Sequence, residues 1–430
     1  MNKGSPKNQF LKSKIFHWSK KGSIAILDQV LFNGVHFLIA VLLARWLEPV
    51  EYGIFAVAYS IFLLLVSFHM ALLVEPMLIF GVGRYQERFH TYLGALISGN
   101  FIITLFASLV LFLIGFPIGL FYSKDLQFAL FGLAIALPFI LLLWLLRRSF
   151  YVRLEPGWSA IGGAVYAILL FTVSIFLKIN HLLSPSAYFL SMGLCSLLVS
   201  LFFIYIIRPV VFKLRKSEIF EIQKDHFCYG KWALGTNVLL WSMSNIYFVI
   251  LPVWIGLEGI AGLRALMNLS TPVIQANSAL SFLFLPILSK KRIEGASKID
   301  SAVKLLLNLF IIVGLLYFIG LVFFGRGIMS FLYNNRYSGF AGLVPLVGLL
   351  PLLAGVSLVL ESTLRSLNNP DKVFWSYLVS MFIVLFGGIL FTKFFGLKGV
   401  LYSYDISYLS LAVVLAVFTK IKVALLSKRI

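Results

Sequence analysis

The chain has 430 residues, of which 60% are hydrophobic and 12% are charged. Soluble domains are typically about 45–50% apolar and about 25% charged. This composition excludes a soluble enzyme, a disordered chain, a collagen-like fibre and a secreted module held by disulfides. What remains is a polytopic membrane protein, in which the net charge of +20 reports on topology rather than on nucleic-acid binding.

Apolar runs long enough to cross a bilayer recur along the whole chain. A membrane helix needs about 20 residues to cross about 30 Å of hydrocarbon, and the runs do not alternate as barrel strands do. The predicted fold class is therefore an all-α polytopic membrane protein with about twelve transmembrane helices. The first run follows a basic segment and is too long for a signal peptide, so we expect an uncleaved helix. The predicted spans are 24–44, 53–76, 93–117, 128–146, 158–177, 185–207, 232–255, 262–287, 305–324, 341–364, 373–392 and 399–419.

Basic residues are distributed unevenly between the two faces of the membrane. Twenty-eight of the 36 Lys and Arg fall in the two tails and in the loops that follow even-numbered spans, against 8 on the other face. By the positive-inside rule, both termini are expected to be cytoplasmic. An odd number of spans would break this alternation, so the charges also favour twelve.

The chain divides at its most basic loop, between spans 6 and 7. We predict an N-terminal lobe at 1–212, a cytoplasmic basic linker at 213–231 and a C-terminal lobe at 232–430. Within the linker, the amphipathic stretch 218–222 is a candidate for the membrane surface. Weak matches about 208 residues apart, such as Trp46 with Trp254 and Asn100 with Asn308, suggest a parallel repeat. Such pseudo-symmetric six-helix lobes place the substrate between them.

Polar side chains form stripes on the first helix of each half. Gln29, Asn33 and His36 follow the spacing of one helical face in span 1. The corresponding residues of span 7 are Asn237, Trp241 and Ser244, next to Asn245. Two interpretations remain open. The side chains line a cavity, or they form interhelical hydrogen bonds that contribute about 0.6 kcal/mol each.

Span 8 carries the longest polar stripe, over about four helical turns. Hydrogen-bonded helix packing rarely needs so many consecutive positions, so we interpret this stripe as cavity lining. Pro272 lies within it and should kink the helix. Its members are Arg264, Asn268, Thr271, Gln275 and Ser278, with Asn277 and Ser281 expected to widen the same face.

Charged residues near the spans suggest two further roles. Asp405 lies inside span 12 among Tyr and Ser residues, so it is either a proton- or cation-coupling carboxylate or an Asp held by neighbouring hydroxyls. Asp28, Glu75 and Glu361, near inner span ends, are expected to pair with a cation or to reach water. Arg45 and Arg264, at outer span ends, are candidates to grip phosphate, which arginine binds bidentately.

Motifs of nucleotide hydrolysis and of zinc proteases are absent from the sequence. The chain also lacks a large outer loop that could hold paired catalytic acids. We therefore expect a carrier rather than an enzyme, without a cofactor, driven by a membrane potential or by a proton or sodium gradient.

The segment from Ala44 to Gly53, ARWLEPVEYG, closely resembles the A-R-x-L-G-P-x-x-Y/F-G signature of the bacterial polysaccharide transporter family. These are the O-antigen and capsule-type oligosaccharide flippases of the multidrug/oligosaccharidyl-lipid/polysaccharide superfamily. The span 8 exit at 284–289 and the loop at 364–370 are similar to landmarks of the family's second half. The departure is Glu48, where the signature has Gly.

The resemblance implies two lobes around a cationic central cavity that opens alternately to each side. It implies a multi-pass protein of the bacterial cytoplasmic membrane that moves an undecaprenyl-diphosphate-linked glycan, with membrane lipid and polysaccharide polymerase or ligase machinery as partners. The predicted substrate contacts are then Arg45, Arg264, Asn268, Gln275, Gln29, Asn33, His36, Asn237 and Asn245, and the predicted coupling residue is Asp405. The alternatives are a cation-coupled exporter of the multidrug and toxin extrusion type, which should have an acid-rich cavity, and a membrane polymerase or acyltransferase.

Overall fold

The computed structural model describes residues 28–29, 31–211 and 216–427. Throughout these ranges the regular structure is helical, as twelve apolar runs without strand alternation predict. The helices are α1 Leu31–Trp46, α2 Pro49–Phe80, α3 Phe89–Phe121, α4 Lys124–Val152, α5 Pro156–Ile179, α6 Pro185–Ile207, α7 Lys216–Ile250, α8 Pro252–Glu294, α9 Ala296–Tyr333, α10 Val344–Ser366 and α11 Pro370–Ser427.

The first residues of span 1, 24–27, lie outside the described residues, and span 7 continues past Ile250, the end of α7, into α8. Otherwise each predicted span lies mainly on one of these helices, and spans 11 and 12 share α11. Spans 11 and 12 are separated by Gly396, whose φ of 55° interrupts the helical conformation. Glycine adopts a positive φ without strain, because it has no Cβ. Within the described ranges, nine helices are long and apolar enough to cross a membrane. The prediction of an all-α polytopic membrane protein is confirmed, while the lysines of the N-terminal tail lie outside the described residues.

The chain folds into two compact units. The first unit holds the described residues up to 39 and residues 61–237, and the second holds residues 40–60 and those from 238 onward. Helices α1, α2 and α7 contribute residues to both. The predicted lobes at 1–212 and 232–430 stay a prediction. The predicted linker is helical from Lys216, where α7 begins.

In the second unit, the signature segment is held by contacts with α8 and with the end of α9. The Tyr52 hydroxyl accepts a hydrogen bond of 3.0 Å from the Asn268 amide. Arg336 donates to the Leu47 carbonyl at 2.6 Å and pairs with Glu48 at 3.1 Å. The glutamate that departs from the signature therefore has a matching cation in this chain.

The glycine of the signature is required by close packing. A Cβ at Gly53 would overlap the backbone carbonyl of Leu257, which follows the non-helical turn at Gly256 in α8. A backbone group cannot move aside as a side chain can, so α2 approaches α8 this closely only without a Cβ.

We predict that Gly53→Ala destabilises the protein by about 2 kcal/mol, the usual cost of overpacking. Thermal unfolding in detergent measures the change. Gly320→Ala is the control, because a Cβ at Gly320 meets nothing within 4 Å and alanine favours the helix. Equal melting temperatures for Gly53→Ala and wild type would contradict the packing argument.

In the first unit, the start of α7 is clamped to the loop between α2 and α3. Arg84 pairs with Glu221 and, at 2.6 Å, with Asp225, and Arg88 pairs with Glu218 at 2.9 Å. The Tyr85 hydroxyl donates to Asp225 at 2.7 Å, and burial together with this carboxylate raises the pKa of Tyr85 to about 12. We call this set of contacts the inner clamp.

His226 extends the inner clamp to helix α2. One ring nitrogen, Nδ1, lies 2.9 Å from the carbonyl of Leu72, in the π-helical turn Met70–Val74, and Nε2 lies 2.7 Å from the Tyr92 hydroxyl. This pair of bonds suits the neutral ring with its proton on Nδ1. Burial lowers the pKa of His226 from 6.5, although Asp225 opposes the shift.

We therefore predict that stability falls as the pH drops below about 6.5. The folded state binds fewer protons at His226 than the unfolded chain does, so acid favours unfolding. Melting temperatures between pH 5 and 8 should depend less on pH in His226→Gln than in wild type. His90→Gln, at an exposed histidine, should leave the slope unchanged. A wild-type slope in His226→Gln would contradict the assignment.

Candidate functional site

A buried ionic network occupies the core of the first unit. Arg147 on α4 donates to Asp28 Oδ1 at 2.6 Å, and both side chains are nearly inaccessible, 6% and 0% exposed. The Tyr151 and Ser159 hydroxyls donate to Asp28 Oδ2 at 2.5 and 2.9 Å. The expectation that Asp28 pairs with a cation is confirmed. Three hydrogen-bonding side chains from two helices, α4 and α5, converge on one carboxylate.

The guanidinium of Arg147 also packs on an aromatic ring. Its Cζ lies 3.5 Å from the centroid of Phe32, which is a cation–π contact. At Gly163, a Cβ would lie 3.0 Å from Asp28 Oδ1, so the glycine leaves room for the carboxylate. These contacts compensate both charges within the protein.

The polar residues of span 1 differ in their surroundings, and Gln29 belongs to this network. Gln29 donates to the Tyr151 hydroxyl at 3.3 Å and accepts from Arg148 at 3.3 Å. Asn33 is exposed. His36 packs against the rings of Phe32 and Tyr166, at 5.0 and 5.7 Å between centroids, and its ring nitrogens have no hydrogen-bond partner among the described residues.

We predict that Arg147→Ala destabilises the protein by about 3–5 kcal/mol, because it leaves a buried carboxylate without its cation. The double variant with Asp28→Ala should lose less than the sum of the single losses, since the two residues interact directly. Thermal unfolding measures both.

The control is Lys304→Ala, which removes an exposed pair with Asp300. Such surface pairs are worth about 0–1 kcal/mol. Additive losses in the double variant would show that the two side chains are not coupled, contrary to the structure.

In the second unit, Arg264 is a cation surrounded by aromatic rings. Its Cζ lies 5.1 Å from the ring centroids of both Tyr59 and Phe248. The side chain is half-buried. Its buried Nε has no hydrogen-bond partner in the described part of the chain, and no carboxylate described there lies within ion-pair distance of it. Unlike Arg147, this arginine has no carboxylate partner among the described residues.

The rest of the span 8 stripe is mixed. Asn268 is buried and donates to Tyr52, and Thr271 donates to the Met267 carbonyl of its own helix at 3.0 Å. Gln275 is exposed, and the side chains of Ser278 and Ser281 lie outside the described ones. The expectation that Asn277 widens this face is wrong: it is buried and donates to the Pro351 carbonyl of α10 at 3.2 Å. Two residues along a helix rotate a side chain by about 200°, away from Gln275.

The predicted span 7 residues have different partners in the two units. Asn237 donates to Glu75 at 3.0 Å in the first unit. Trp241 donates from its indole nitrogen to the Ser60 carbonyl at 2.9 Å in the second. Asn245 is buried and Ser244 is exposed. Asn237 and Trp241 thus make the helix-to-helix bonds of the packing interpretation.

Asp405 is an unusual carboxylate in the second unit. Its Oδ1 is buried and has no hydrogen-bond partner among the described side chains and backbone. The hydroxyls near it in sequence are engaged elsewhere: Tyr404 donates to the Ser244 carbonyl at 3.1 Å, and Ser403 bonds Tyr247 at 2.6 Å. By contrast, Glu361 pairs with Arg365 at 2.5 Å and accepts from the Tyr377 hydroxyl at 2.8 Å.

Some residues of these sites escaped sequence reasoning. The sequence does not indicate that Arg147, Tyr151 and Ser159 meet Asp28, because more than a hundred residues separate each of them from it. Arg45 ends α1 as an exposed side chain and forms no ion pair with the described residues. Over the described ranges, no three His, Cys, Asp or Glu side chains stand together as a metal site would require.

Neither a protein-family model nor a curated protein matches this chain. Solved structures do match its fold. An inward-facing multidrug-resistance MATE transporter of the MOP superfamily has a TM-score of 0.76 and 14% identity, over 94% of this chain and 99% of that one. The lipid II flippase MurJ, in an inward closed conformation, gives a TM-score of 0.72 and 15% identity, over 95% of this chain and 89% of that one.

A third structure comes from Pyrococcus furiosus. It is a MOP superfamily transporter whose binding pocket of reverse polarity suggests a different function, with a TM-score of 0.64 and 13% identity over 95% of both chains. Identities this low establish the fold alone. The chain has the fold of MOP superfamily transporters.

Proposed function

We propose that the chain is a flippase that moves a lipid-linked oligosaccharide, carried on undecaprenyl diphosphate, across the bacterial cytoplasmic membrane by alternating access. It would act in surface polysaccharide biosynthesis, beside polymerase or ligase proteins, with both termini in the cytoplasm. The fold supports a carrier, and one structure of that fold is a lipid II flippase. The family signature at 44–53 supports a glycan substrate.

The observation that carries the proposal is the uncompensated charge of Arg264. A half-buried guanidinium without a carboxylate partner attracts an anion, by about 4 kcal/mol at 4 Å in an effective dielectric of 20. It would repel the cationic drugs of a typical exporter. A diphosphate offers the geometry that arginine binds bidentately. In the same unit, the exposed amide of Gln275 is suited to sugar hydroxyls.

Depletion of the protein in its native host should make the lipid-linked glycan accumulate on the cytoplasmic leaflet, with loss of surface polysaccharide. Complementation then tests the site. We predict that Arg264→Ala lowers transport about 10–100-fold, because a hydrogen bond to a charged group contributes about 1.5–3 kcal/mol. Arg264→Lys should retain part of the activity, since the charge remains but the bidentate grip is lost.

The matched control is Arg326→Ala on α9, which removes an exposed arginine that is also predicted to lie outside. It should transport like wild type. Wild-type transport by Arg264→Ala at equal membrane levels would reject the role of Arg264, and unchanged glycan lipids on depletion would reject the flippase.

The alternative is a cation-coupled exporter, and the unpartnered oxygen of Asp405 favours it. Two structures of the same fold are those of multidrug-resistance MATE family transporters.

We predict that Asp405→Asn leaves drug efflux unchanged if the chain is a flippase. A loss of efflux in Asp405→Asn cells, with unchanged surface glycan, would move the assignment to the exporter.

A further inference from the structure

An apolar groove of about 160 Å³ lies in the first unit, between the starts of α3 and α7. One wall is a row of residues on a single face of α3, from Thr91 through Ala95 and Gly99 to Ile102. The other wall is the first two turns of α7, including Ile219 and Ile222. None of the predicted substrate contacts lines this groove, so it is separate from the site proposed above.

The surface of the groove that a ligand could contact is mainly hydrocarbon. The Ser98 hydroxyl donates to the Gly94 carbonyl of its own helix at 3.2 Å. Both ring nitrogens of His226 are engaged, with Tyr92 and with the carbonyl of Leu72. The polar atoms of Ser98 and His226 are thus already engaged, and Thr91 and Gln223 are the other polar side chains in a lining that is otherwise apolar. A polar ligand or peptide would lose most of its hydrogen bonds to water here without replacement.

The length and position of the groove match one leaflet. From Thr91 to Ile102 along α3 is about 16 Å at 1.5 Å per residue. Half of the hydrocarbon core is about 15 Å. The positive-inside rule places this end of α3 at the cytoplasmic leaflet, and the exposed Lys224 lies at the same end. A lysine at this depth attracts lipid phosphates.

We propose that this groove holds one acyl chain of a phospholipid of the cytoplasmic leaflet, as a resident lipid rather than as transported substrate. The bound chain would fill the space between α3 and α7 beside the inner clamp. A polyprenyl tail is the competing occupant. The phospholipid is favoured because the groove is one leaflet long and is lined wholly by residues of the first unit, none of which is a predicted substrate contact.

The test uses the full-length protein in nanodiscs of phosphatidylethanolamine and phosphatidylglycerol, with a photoreactive phospholipid whose label lies on the acyl chain. Cross-linked peptides should come from 91–102 and 219–226. Gly99→Leu should lower this labelling about tenfold, because its side chain takes the volume of several methylenes. A Cβ at Gly99 meets only Leu73, at 3.7 Å, so the backbone accepts the change.

Gly320→Leu is the matched control, on a helix face with open space around the Cβ, and should leave groove labelling unchanged. Ile102→Gln, at an exposed position, places an amide at the deep end without overpacking and should also lower labelling if Gly99→Leu misfolds.

Labelling spread evenly over the spans, or unaffected by either groove variant, would overturn the proposal. Preferential labelling by a photoreactive polyprenyl phosphate would overturn the choice of phospholipid. The readout is independent of transport, so it succeeds or fails apart from the flippase assignment.

Discussion

In hydrocarbon there is no water to complete a hydrogen bond, and each unsatisfied polar group costs several kcal/mol. The helices of this chain satisfy their backbone groups internally, and many hydroxyls follow the same solution. Ser60, Ser174 and Thr363 each donate to the carbonyl four residues earlier in their own helix. Where a charge is buried, as at Asp28, several elements converge to compensate it. This constraint accounts for the fold class and for most of the polar contacts.

The same constraint gives meaning to the exceptions. Arg147 and Arg264 both lie near the ends of predicted spans, yet the first pairs with a carboxylate and the second contacts two rings and has no carboxylate partner among the described residues. Asp28 accepts at least three hydrogen bonds, whereas Asp405 has a buried oxygen without a partner among the described residues. Groups left uncompensated inside a membrane protein usually serve transport. The proposed anion contact and the alternative coupling site are these exceptions.

Helix α7 forms part of both the inner clamp and the apolar groove. Its first turns present acids to Arg84 and Arg88 on one side and apolar residues to the groove on another. The charged contacts hold the helix against the α2–α3 loop, and the groove leaves a gap that lipid can fill. A segment that is merely amphipathic in sequence is therefore part protein interface and part wall of an apolar groove.

The sequence by itself determined the type of the spans, which are apolar helices, because a 20-residue apolar requirement is local and the bilayer imposes it on each run separately. It also located the signature segment, including Gly53 and Tyr52. It did not determine which polar side chains lack a partner on another helix. Asn268 and Asn277 look alike in a helical stripe, but one bonds Tyr52 and the other bonds α10. Asp28 and Arg147 are 119 residues apart, and only tertiary packing brings them together. Whether a polar group is compensated depends on what lies opposite it on another helix, and helical periodicity contains no information about that neighbour.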